Sequence, residues 1–239
     1  MRKSLAPVIA ASAALAGCHV DAHGGGATIS RNYQVGNFQV IEVAGPYDVE
    51  VRTGGNPGVS AQGSEKLLER TEVEVQGGKL VIRPEHHGWF SFGWSSHGKA
   101  RFTVTVPQLS GATIAGSGDI TVDKVQGNAF QGDVAGSGSL NVTSMDVQSL
   151  KLSIAGSGGV KAGSGKAQSA EYDIAGSGDV DAGAIQTQEA RVSIAGSGGV
   201  RAHATGTADV NVMGSGDVNI SGGAKCTVTK AGSGDVRCS

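Results

Sequence analysis

The segment Glu85-His86-His87-Gly88-Trp89-Phe90-Ser91-Phe92-Gly93-Trp94-Ser95-Ser96-His97 gathers three of the six histidines and both tryptophans of the 239-residue chain. Imidazole binds borderline metals, and indole stacks on sugar faces or settles at lipid headgroups. Two readings follow for His86, His87, Trp89, Trp94 and His97. They form a projecting loop that contacts a ligand or partner, or a hairpin tip folded back over the end of a stack. A closed metal site is not expected, because neighbouring histidines diverge and no fourth ligand is evident. Asp119, Asp179, Asp217 and Asp235 each follow a Gly-Ser-Gly triplet. Calcium takes six to eight oxygens, and of these only Asp217 and Asp235 fall in adjacent repeats, so the aspartates read as turn residues. An acid–base pair for cutting polysaccharide is not evident either: Asp119 and Asp179 lie three repeats apart, ~14 Å at strand spacing. There is no Ser-His-Asp set, phosphate-cradling loop or zinc motif, so no catalytic residue, metal or cofactor is expected. The net charge is −2, and a nucleic-acid surface would need a basic stripe.

What positions these residues is a repeat. Ala-Gly-Ser-Gly begins at Ala115, Ala135, Ala155, Ala175, Ala195 and Ala231, with a Met-led copy at Met213; the steps are 20, 20, 20, 20, 18 and 18 residues. Repeats of this length build solenoids, in which each unit covers only its neighbours. Apolar residues alternate on both sides of each signature, as in Ile120-x-Val122 and Leu150-x-Leu152-x-Ile154. Period-two alternation with abundant Gly (40 residues) argues strand, not helix. These apolar positions are all even-numbered, and 20 and 18 are both even, so the inward register survives the change of repeat length. The two lost residues fall between Ala202 and Ala208, read as a turn. The fold class is all-β: a parallel β-helix of 18–20-residue coils over residues 111–239. Seven rungs stacked ~4.8 Å apart make a rod of roughly 29 Å. Residues 37–110 are less regular. Ala44 to Val51 reads as a first coil, Ser64 as the N-cap of a short helix, and Glu72–Arg83 as a hairpin turning at Gly77-Gly78. Arg101–Val106 is a further strand.

Residues 1–17 carry Arg2 and Lys3, then a short apolar run from Leu5 to Ala16, and read as an export signal. The end of that run, Leu15-Ala16-Gly17-Cys18, resembles a bacterial lipobox. The resemblance implies cleavage before Cys18, lipid on its thiol and acylation of its amine. Several chains on one residue anchor stably. By analogy with enteric sorting, His19 rather than Asp after the cysteine favours the outer membrane. Residues 18–36, with Gly24-Gly25-Gly26, read as a flexible tether. With Cys18 committed to lipid, Cys226 and Cys238 remain as a pair in an oxidising compartment. Both are even-numbered and are expected to point into the coil, closing a final rung that Lys230 marks as solvated; two unbonded buried thiols are the other reading.

These features resemble one family, the auto-transporter adhesin "head GIN" domain of bacterial envelope proteins. The residues that carry the resemblance are Ile41-Glu42-Val43 with Tyr47-Asp48-Val49, the Gly77 to Ile82 hairpin, Val104 to Leu109, and the repeated Gly-Ser-Gly-Asp-Val/Ile. The match spans about residues 37–239 as a single β-helical domain, and it brings no catalytic residues. The expectation is a non-catalytic envelope lipoprotein with an adhesin-like or structural binding surface. Its partners would be the membrane through the anchor, and a polysaccharide, another envelope protein or copies of itself. The alternative is a β-helix carbohydrate-active enzyme.

Overall fold

A computed structural model describes residues 28–85 and 100–239. The amino-terminal part contains β1 (Thr28–Tyr33), β2 (Val40–Ala44), β3 (Asp48–Thr53), β4 (Gly58–Ser64), α1 (Glu65–Glu69), β5 (Thr71–Gln76), β6 (Lys79–Pro84), β7 (Ala100–Val106) and β8 (Gly111–Gly116). The regular part contains β9 (Asp119–Gly136), β10 (Ser139–Gly156), β11 (Gly159–Ala162), β12 (Gly165–Gly176), β13 (Asp179–Gly196) and β14 (Gly199–Gly214). It ends with β15 (Asp217–Ser221), β16 (Lys225–Ala231) and β17 (Val236–Cys238). From β8 to β17 each strand pairs in parallel with its equivalent one coil away, Leu140 with Ile120 and Val160, for example. The parallel β-helix expected from the repeat is the fold.

Each coil has three sides. In β9, Ile120 and Val122 face inward on the first side, Val125 on the second, and Phe130 and Val134 on the third. Exposed pairs, Asp123-Lys124 and Asn128-Ala129, make two of the corners. The even-numbered rule therefore holds on the first and third sides: Val192 and Ile194 are each 1% exposed, while Ser193 is half-buried on the outside. On the second side it reverses, and odd Val125, Met145, Val147 and Ile185 are buried. A two-residue corner shifts the inward face by three positions, so two such corners restore the original parity. The shortened coil follows from this. Ala202 still pairs with Ala182, but His203 pairs with Gln186, so the first corner is removed and Ala204 takes the inward place of Thr187. The deletion sits in the expected segment, and that segment is a β side, not a loop.

The third corner is Ala-Gly-Ser-Gly. Gly136 has φ +127°, a conformation costly for any residue with a Cβ. A Cβ on Gly138 would lie 2.1 Å from the Gly118 carbonyl oxygen directly below. The glycines allow successive corners to hydrogen-bond at backbone distance, Ser137 N–H donating to Gly116 O at 2.9 Å and Ser157 N–H to Gly136 O at 2.9 Å.

The amino-terminal part caps the stack. The Ala44–Val51 segment is a coil, as expected, and β2 and β3 stack in parallel on β8 and β9. It is not the last coil at this end. β6 and β7, later in sequence, pair in parallel with the other edges of β2 and β3 and form the rung below. Antiparallel strands then close the edge: β5 on β6, β4 on β7, and β1 on β4. The helix starts where expected, Ser64 Oγ accepting from Leu67 N–H at 3.3 Å, and buries Leu67 and Leu68. Of the tether expected over residues 18–36, Thr28–Tyr33 is instead strand β1, paired with Val59–Ser64 of β4. Alternating Ile29, Arg31 and Tyr33 half-buries one face of this strand, which the glycine run before it concealed.

The interior changes from coil to coil: one coil has Val142, Met145, Val147, Leu150 and Leu152, and the next has Ala162, Gly165, Ala167, Ala170 and the fully buried Tyr172 at the paired positions.

Candidate functional site

The His86, His87, Trp89, Trp94 and His97 segment and Cys18 lie outside the described residues. What is placed is where that segment departs. The described strands on either side of it, β6 ending at Pro84 and β7 beginning at Ala100, meet the corner that Gly45-Pro46 occupies in the next rung and Gly-Ser-Gly in the coils above. Glu85 N–H donates to Arg70 O at 2.8 Å, fixing one root of the segment to the cap.

The aspartates after Gly-Ser-Gly act in the ladder. Asp119 Oδ1 accepts the Ser139 N–H, Asp179 Oδ1 the Gly199 N–H and Asp217 Oδ1 the Asp235 N–H, each at 2.8 Å. A carboxylate at this corner reaches one rung along the rod and satisfies a backbone donor that the tight turn leaves poorly paired. The turn role is therefore specific: the side chain links one coil to the next. Asp123 does similar work between regions, accepting from Thr53 N–H at 3.0 Å and Thr53 Oγ1 at 3.1 Å.

At the carboxyl-terminal end Cys226 and Cys238 form a disulfide with Cα atoms 6.6 Å apart. The register is the expected one, Cys238 above Ile220 and Cys226 above Ala208. Their burial differs from expectation: Cys226 is half-buried and Cys238 exposed. Among the described residues no coil covers this rung, so positions that are interior below are surface here. Lys230 stands above Val212, and its Nζ donates to Gly234 O at 2.6 Å.

On the outside of the third side odd-numbered positions line up in columns that face solvent. One column runs Gln131, Lys151, Glu171, Arg191, Asp209, Thr227. The next runs Asp133, Ser153, Asp173, Ser193, Asn211, Thr229. Lys151 Nζ lies 2.9 Å from Glu171 Oε1 and 3.3 Å from Asp173 Oδ2. The Lys151 hydrogen bond holds the Glu171 carboxyl below its usual range, and its two acidic neighbours hold the ammonium up. A shallow groove of about 430 Å³ follows the second column, bounded by Asp133, Ser153, Asp173 and Ser193 and by exposed alanines such as Ala155 and Ala175. A second groove, about 350 Å³, lies on the first side between Asp179, Arg201, Asp217 and Arg237, where Gly199 has no side chain to fill it. Both are open surfaces suited to contact. Reading along the chain passed over Lys151, Glu171, Arg191 and Asp209; their signal is a sign that alternates at one repeat spacing and emerges only when coils are written one beneath another.

Among curated proteins none matches the chain. Solved structures do. A "putative adhesin" from Bacteroides fragilis is similar at TM-score 0.80 and 23% identity, covering 89% of this chain and 97% of that one. A "putative lipid binding protein" from Parabacteroides distasonis matches at 0.69 and 24% identity, covering 91% and 98%. A "putative adhesin" from Parabacteroides merdae matches at 0.68 and 18%, covering 91% and 97%. At these identities the likeness is one of fold. The model of the family described as "Putative auto-transporter adhesin, head GIN domain" matches residues 37–224, ending one residue before the disulfide-closed rung. The ordered motifs, the glycine-cornered coils and this match agree: the chain belongs to the head GIN domain family of auto-transporter adhesins.

Proposed function

We propose that this protein is a non-catalytic lipoprotein of the bacterial outer membrane, a short β-helical rod anchored through Cys18 that offers its outer faces as an adhesin-like binding surface. One observation carries the reading: the first described strand, Thr28–Tyr33, is the outermost strand of the capped end. Nine residues lie between Cys18 and Thr28, a reach of at most about 35 Å. A reach that short keeps the capped end near the membrane. The carboxylates that a polysaccharide-cutting alternative would draw on serve elsewhere, since Asp119, Asp179 and Asp217 each hold a backbone N–H of the next coil. Metabolic labelling with palmitate tests the anchor. Wild-type protein should take the label and a Cys18→Ser variant should lose it; label that persists in the variant, or never enters the wild type, would overturn the proposal.

A further inference from the structure

We infer that the outer third side pairs with the same side of a second copy of this chain, the two rods running antiparallel. The argument starts from the column Lys151, Glu171, Arg191, Asp209, whose signs run plus, minus, plus, minus along the rod. Within one chain only part of that pattern is used. Lys151 pairs with Glu171 and Asp173, and the Arg191 charge acts on Glu171 from the next coil, but Arg191 and Asp209 make no ion pair within 4.0 Å among the described residues. Consider a two-fold axis lying between two facing copies, along the strand direction, midway between the coils of Glu171 and Arg191. It sets each column against itself in reverse order. Lys151 then faces Asp209 of the second copy, and Glu171 faces Arg191. In the second column Asp173 faces Ser193, Ser153 faces Asn211 and Asp133 faces Thr229. The column at the start of the side sets Ser169 against Glu189 and Ser149 against Thr207. The alanine column sets Ala175 against Ala195 and Ala155 against Met213, whose side chain is left 56% exposed in the single chain. Every like-charge contact is avoided.

A parallel arrangement with its axis along the rod between these two columns fails the same test, because it places Glu171 against Asp173 on the same coil, which is repulsive. Six coils at ~4.8 Å by a side ~16 Å wide give roughly 450 Å² per copy, near the lower limit for a specific contact. Pairing is therefore weak and reversible in solution. Antiparallel copies carry their amino termini at opposite ends. If Cys18 is the anchor, which rests on the function proposed above, one pair bridges two facing membranes; the pairing itself does not depend on lipid.

Sedimentation of the purified full chain, with Cys18→Ser in every sample, tests the pairing. A salt-sensitive monomer–dimer equilibrium is expected. Lys151→Asp or Asp209→Lys alone should weaken it at least about tenfold. The double variant should recover it, while failing to pair with the unsubstituted chain, because Lys then meets Lys and Asp meets Asp. Glu171→Arg with Arg191→Glu provides an independent swap should either variant fold poorly. A monomer at all concentrations up to about 1 mM, or association indifferent to these charges, would overturn the inference. Beads carrying the chain by its amino terminus should clump; dimers in solution without clumping would overturn the antiparallel orientation. Clumping of such beads together with absent palmitate labelling would leave the pairing standing and remove only the anchor.

Discussion

The two ends of the rod solve one problem in different ways. A stack of parallel coils must stop, and whatever stops it has to cover apolar side chains and unpaired strand edges. At the amino-terminal end a separate small structure does this. Antiparallel β1, β4 and β5 extend the edge, α1 buries Leu67 and Leu68, and Phe102 lies edge-on to Tyr47 with centroids 5.4 Å apart. At the other end, among the described residues, no separate structure covers the rung. The repeat itself is altered at three inward positions: Cys226 above Ala208, Cys238 above Ile220, and Lys230 above Val212. One end is closed by packing and the other by a covalent bond and a charge. Loss of packing should spread through a shared core, whereas loss of the bond should stay local, because the solenoid below is already complete.

The largest effect expected from breaking this contrast is at the packed end. Phe102→Ala deletes a fully buried ring that touches both Tyr47 and Tyr33, and should cost about 3–5 kcal/mol in denaturant unfolding. The cap and the first coils should melt together. Retention of the wild-type midpoint would mean that the cap is not part of the same core.

Much of the rod was legible in the sequence because strand register has a period of two, and each Ala-Gly-Ser-Gly resets it at the same corner. The second side was not, since Asp123-Lys124 and Thr143-Ser144 are corners without glycine or proline and read as strand that simply continues. Nor was the stacking order of the cap. Whether β2 pairs above or below β6 depends on contacts remote in sequence, and each strand turns two aliphatic residues inward, Ile41 and Val43 in one and Leu80 and Ile82 in the other. The disulfide was legible from cysteine count and parity, but its exposure was not, because parity indicates the inward direction without saying whether a further coil will cover it. The surface columns escaped because adjacency across coils is twenty residues away in the chain.

A smaller effect sharpens the comparison with two tyrosines. In the cap, Thr71 Oγ1 donates to Leu67 O at 2.7 Å, so the Tyr47 hydroxyl, 3.0 Å away, donates to Thr71. In the rod the buried Tyr172 hydroxyl has no hydrogen-bond partner among the described residues. Tyr47→Phe should cost about 1 kcal/mol, and Tyr172→Phe should cost nothing or raise the thermal midpoint. Burial also pushes the Tyr172 phenol above its usual range. The unfolded chain then gives up this proton first as pH rises past about 10, so Tyr172 lowers stability only on the alkaline side. Tyr172→Phe should flatten the fall in stability above pH 10, on top of any gain it gives at neutral pH. Equal losses for both variants at neutral pH would show the Tyr172 hydroxyl to be satisfied.

Hydrogen exchange on the folded chain, with and without reductant, addresses most directly the claim that the two ends are held by different physics. The bond joins residues 12 apart in sequence and should contribute about 3 kcal/mol by loop entropy. Reduction, or Cys226→Ser with Cys238→Ser, should remove protection from residues 225–239 while β14, the interior coils and the β1–β4–β7 cap exchange as before. Protection lost together at both ends would contradict the account, and so would a final rung that stays protected without its disulfide.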